Sequence, residues 1–114
     1  GMYNKYLIDI YIGEENFEEA KRLAEIEVMN RPTPATYDWL AWTHYKSGEL
    51  DLAVDLYKNS IEGETYEPDV IYHMGVVYQS ANENRGAEYL QESMDASYEL
   101  GPLVELEIKK KIKG

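Results

Sequence analysis

The feature that most narrows what this chain can fold into is a recurrence of small and large side chains every 33 or 34 residues. A shift of 34 lays Pro34 on Pro68, Leu40 on Met74, Ala41 on Gly75 and His44 on Tyr78. It also pairs Gly48 with Asn82, Glu49 with Glu83, Ala53 with Ala87 and Leu56 with Leu90. A shift of 33 lays Leu7 on Leu40, Ala20 on Ala53, Leu23 on Leu56 and Val28 on Ile61. Few of these are identities, yet the small residues recur where two helices must approach closely. Periods of this length belong to arrays of supersecondary units. A single helical hairpin cannot bury both of its apolar faces, so neighbours share them.

Turn residues divide the chain in the same places. Thr33-Pro34 reads as an N-cap followed by proline at the first helical position, where a missing N–H is harmless. Asn16 with Glu19 reads as a capping-box-like start. Gly48 and Gly63 can close helices in a left-handed conformation, and Gly101-Pro102 marks the last boundary. The spacing predicts seven helices, at about 2–13, 16–30, 34–47, 50–62, 68–81, 83–99 and 102–113. No stretch alternates apolar and polar residues persistently enough for a strand.

On these residues the chain resembles the tetratricopeptide repeat (TPR) family, whose pattern is W-x2-L-G-x2-Y, then A-x3-F, then P. The middle repeat supplies Tyr37, Leu40, Ala41 and His44, then Ala53 and Tyr57. The third supplies Ile71, Met74, Gly75 and Tyr78, then Ala87, with Leu90 one place early for the large apolar position. The first has Leu7, Ile8 and Tyr11, then Ala20 and Pro32, with Asn4 and Ala24 where aromatics are usual. The resemblance implies an all-α fold, a right-handed superhelix of three stacked hairpins (2–33, 34–67 and 68–101). The segment 102–113 would be its capping helix, and the whole chain one domain. It also implies that the first helix of each hairpin lines a concave face where a ligand lies.

The residues of those first helices that avoid the packing positions then form a candidate groove. They are Lys5, Asp9 and Ile12; Asp38, Trp42 and Tyr45, with Trp39 beside them; and Tyr72, Val76 and Gln79, flanked by His73. The expected surface is aromatic with an acidic margin. Trp and Tyr offer wide contact for little rotamer entropy, so binding hot spots favour them. Trp42 is expected to stay partly exposed in this groove and Trp39 to pack on a neighbouring repeat. Tyr45 and Tyr72 divide evenly between the two roles. Tyr11, Tyr57, Tyr78, Tyr89 and Phe17 are expected to pack between helices.

One subclass of the family grips a chaperone's C-terminal carboxylate with Lys, Asn and Arg. Of those positions only Lys5 fits; Asp9, Trp39, Asp69 and His73 stand at the others, and the two carboxylates would repel such a ligand. A protein or peptide segment of basic character suits the acidic margin better. No motif points to an enzyme, a metal or a cofactor. The chain has no cysteine, and His44 and His73 are not at ligand spacing. No glycine-rich phosphate loop follows a strand. An aromatic platform for a sugar or another small molecule is the weaker alternative.

Charge bears on partners more than on fold. The formal net charge is −11, and Lys109, Lys110, Lys111 and Lys113 supply four of the eleven positive charges. Residues 1–108 are therefore strongly acidic, and nucleic acid is not an expected partner. No apolar run reaches the length of a membrane span. The absence of a signal-peptide pattern in this chain favours the cytoplasm.

The N-terminal helix carries apolar residues at 2, 3, 6, 7, 8, 10, 11 and 12, nearly all round. Such a helix belongs in an interior. Its outer face, with Tyr3 and Ile10, is expected either to contact a second copy of the chain or to receive further repeats on its N-terminal side. Either outcome makes a structural or self-assembly module the competing function.

Overall fold

The computed structural model of the chain describes residues 2–96. Its elements are α1 (Met2–Gly13), α2 (Phe17–Asn30), α3 (Pro34–Lys46), α4 (Leu50–Ser60), α5 (Pro68–Ser80) and α6 (Arg85–Asp95). The described residues contain helices and turns and no strand. The first five expected helices agree within two residues at each end, whereas α6 begins two residues later than expected and ends at Asp95. Gly101-Pro102 and the expected helix at 102–113 lie outside the described residues.

Consecutive helices pair, α1 with α2, α3 with α4 and α5 with α6. Contacts gather the first two pairs into one compact unit ending at Glu64, and the third pair into a second unit beginning at Thr65.

All three pairs turn in the same way. Glu15, Gly48 and Asn82 adopt positive φ of 60°, 91° and 61°. The next residue's N–H then donates to the carbonyl five residues back: Asn16 to Tyr11, Glu49 to His44 and Glu83 to Tyr78, each at 2.8 Å. This is the bond that closes a helix through a left-handed residue. Only at Gly48 is that conformation free of side-chain strain.

Helix starts are less uniform. Thr33 caps α3 through a reciprocal box with Thr36, and Pro34 follows at the first turn. At α2 only half of the expected box forms: the Asn16 side chain accepts from the Glu19 N–H at 3.5 Å. The Glu19 carboxylate turns instead to the Arg22 guanidinium, 2.8 Å away.

In the first unit, Ile8, Ile12, Ala20 and Ala24 form a buried cluster, with Tyr11, Phe17, Leu23, Trp39, Leu40 and Trp42 packed on it. The α2 helix meets both α1 and α3, so the small residues of α2 admit two neighbours at once. Ala41, Ala53, Tyr57 and Ile61 are buried with the second pair.

In the second unit, a Cβ on Gly75 would meet the Leu90 side chain and backbone N at 3.0 Å. On Gly86 it would come within 2.5 Å of the Gln79 backbone N. Gly86 is therefore the small residue at this crossing, and Ala87, expected there, is exposed. The reason is a turn one residue shorter between Glu83 and the crossing. Counted on the second helices, the repeat is an unbroken 33: Ala20 and Ala24, Ala53 and Tyr57, Gly86 and Leu90, all buried.

Candidate interaction surface

The surface is built on α3. With Thr33 and Pro34 fixing its start, Trp39, Trp42 and Tyr45 follow one another at intervals of three along one side of the helix. Both tryptophans are half-buried and rest on the cluster of α1 and α2. The Trp42 and Tyr45 rings are tilted by 35° with centroids 5.1 Å apart. One turn further on, the Lys46 ammonium lies 5.6 Å from the centre of the Trp42 ring, a cation over an aromatic face. Trp42 thus has one side fixed by the core and a polar, partly open other side.

The remaining candidates divide. Lys5 and Asp9 stay on the surface of α1 and pair with each other at 3.5 Å. His73 and Gln79 are half-buried, and the His73 ring lies 5.8 Å from that of Tyr72. Ile12, Asp38, Tyr72 and Val76 are buried and so do not form groove surface. Ile12 falls one turn beyond Ile8 and enters the same cluster. Asp38, only 1% exposed, is held by the Tyr57 hydroxyl, which donates to its Oδ1 at 2.6 Å. Tyr72 and Val76 belong to a helix with eight buried residues, broader in its packing than a single stripe. The acidic margin shrinks accordingly. Asp38 is inside, and Asp69 accepts the Val70 N–H at 3.0 Å.

One polar cluster lies outside the groove that the sequence predicts. Glu49, in the turn after Gly48, receives the Lys21 ammonium from α2, and His44 Nδ1 lies 3.0 Å from the same carboxylate oxygen. The Ser47 hydroxyl donates to that oxygen as well, at 2.8 Å. The Lys21 contact above all, then His44 and Ser47, holds the Glu49 carboxyl down at about 2. This cluster ties α2 to the second pair. The sequence signal was the recurrence of a carboxylate, Glu49 and Glu83, just after the hairpin turn.

A depression of about 360 Å³ opens between Pro32, Thr33, Pro34 and Tyr37 on one side and Asn59, Ser60 and Glu64 on the other. Among the described residues no group of three or more His, Asp or Glu side chains is placed to hold a metal ion. No helix among them is long and apolar enough to cross a membrane.

The chain matches no protein-family model and no curated protein.

Proposed function

We propose that this chain is a non-enzymatic interaction module of tetratricopeptide-like design, which binds a protein or peptide segment against the aromatic side of α3. The observation that carries the reading is the Trp42–Tyr45 pair, anchored on the first unit's core and capped by Lys46. An aromatic held rigid on one side and accessible on the other loses little entropy on binding, the usual property of an interface anchor. The shared hairpin turns and the small residues at the crossings support the family resemblance. The net charge of −11 favours a basic segment over an acidic one.

The test is selection from a peptide library, followed by titration of the best segment into the wild type, Trp42→Ala and Tyr45→Ala. Trp42→Ala is expected to remove about 2 kcal/mol or more of affinity, with a smaller loss for Tyr45→Ala. Added salt should weaken binding of a basic segment. If both variants keep their helical circular dichroism and bind as the wild type does, the α3 surface is not the site.

A further inference from the structure

Tyr3 and Ile10 are exposed on α1 and offer mainly apolar surface. The depression between the start of α3 and the end of α4 offers chemistry that selects a ligand. Its apolar walls are the rings of Pro32, Pro34 and Tyr37, and its polar side is Asn59, Ser60 and Glu64. All of them lie within the first unit.

Two helix ends meet there, and only one of them is satisfied. At the start of α3, Thr33 Oγ1 accepts the Thr36 N–H and the Thr33 carbonyl accepts the Tyr37 N–H, while Pro34 has no N–H to offer. The positive end of α3 is thus largely closed. At the end of α4, the N–H groups of Ile61 and Glu62 both donate to the Tyr57 carbonyl, and that of Glu64 donates to the Ile61 carbonyl. The carbonyls of Asn59 and Ser60 receive no hydrogen bond among the described residues, so the negative end of the α4 dipole stays open. The Glu64 carboxylate likewise has no cationic partner among those residues. Arg31, next to Pro32 in the chain, turns its guanidinium to Glu27, 3.6 Å away. The only formal charge on the lining is therefore negative. Beside it stand the Tyr37 ring, whose face attracts cations, and two proline rings, apolar surface for an aliphatic stem.

We infer that this depression receives a basic side chain, lysine or arginine, of a partner protein. The methylene stem lies along Pro32, Pro34 and Tyr37, and the cationic head reaches Glu64 and the carbonyl end of α4. A neutral polyol could bond to Asn59 and Ser60 but would leave the carboxylate and the dipole uncompensated, so the charge favours the cation. Tyr37 and Trp42 lie about 140° apart around α3, so this site is separate from the aromatic side, and Trp42→Ala leaves it intact whatever it does to peptide binding. Glu64 is exposed, so one side chain alone binds weakly, and the site adds selectivity to a larger contact.

Titrating the isotope-labelled full chain with N-acetyl-lysine amide or N-acetyl-arginine amide, and following backbone amide resonances by NMR, reads the binding directly. Both probes should shift Tyr37, Asn59, Ser60 and Glu64 saturably in the low-millimolar range. N-acetyl-norleucine amide, which has a stem and no charge, should not. Glu64→Gln, at an exposed position, should stay folded and weaken both probes about three- to fivefold, as an exposed ion pair allows. Glu64→Lys should abolish binding. Asp51→Asn removes the same charge at the other end of α4 and should change nothing. Shifts that never saturate overturn the inference, as does a norleucine probe that binds equally well. So does a Glu64→Gln variant no weaker than Asp51→Asn, or glucose moving the same four amides when the two cations do not.

Discussion

At the scale of single residues, the most informative contact is the hydrogen bond from Tyr57 to Asp38. Both side chains are buried, and the bond at 2.6 Å joins α4 to α3. A buried carboxylate deprived of one donor loses part of what offsets its desolvation. Tyr57→Phe removes the hydroxyl and little volume, so it should cost about 1.5–3 kcal/mol, read from urea denaturation midpoints. An unchanged midpoint would mean that Asp38's other contacts suffice and that the phenol contributes packing alone. The same pair shows why the groove was only partly legible. Helical spacing sets Asp38 off the Leu40–Ala41–His44 stripe, and a position off that stripe reads as outside. Nothing within α3 reveals that a phenol nineteen residues later reaches back to it. Trp42 was legible because local spacing alone places it, half on the core and half off. Ile12 was not, because its burial depends on how far α1 rolls onto Ala20 and Ala24 of its neighbour.

At the scale of elements, the helices and their hairpins could be read because turn chemistry is local: a left-handed residue, then a backbone bond back five positions. Register across the third hairpin could not, because one residue fewer between Glu83 and the crossing is invisible until the helices are packed. The resulting contrast between neighbours is sharp enough to test. Gly86→Ala would drive a Cβ to 2.5 Å from the Gln79 backbone, which has no rotamer to move aside. It should destabilise the protein by about 1–3 kcal/mol, even though alanine is the better helix former. Ala87→Leu, at the exposed next position, should change stability by less than about 0.5 kcal/mol. Thermal unfolding of the two variants side by side decides it. The reverse order of effects would restore Ala87 to the crossing and shift α6 by a residue.

At the scale of the whole molecule, a net charge of −11 raises the question of what acid does to stability. Two effects oppose each other. Protonating the many surface carboxylates relieves a diffuse repulsion, which is already screened over about 8 Å at physiological salt. Protonating Glu49 breaks a contact cluster with Lys21, His44 and Ser47, in which the Glu49 side chain is 38% exposed and salt screens in part. Its folded-state pKa lies at about 2, depressed from 4.5, so the unfolded chain binds this proton more readily than the folded one. The stability it contributes is therefore complete above about pH 4.5 and is lost as pH falls toward about 2. Because the two effects run in opposite directions, the acid response of the wild type alone does not separate them. The comparison that isolates the cluster is Glu49→Gln, which keeps the shape of the side chain and removes its titration. Above about pH 5 the wild type should exceed the variant by a constant margin, and below it the two curves should converge. Urea midpoints at successive pH values measure that margin. A margin unchanged down to about pH 3 would show that Glu49 binds its proton equally in both states, and that the junction between α2 and the second hairpin rests on packing rather than charge.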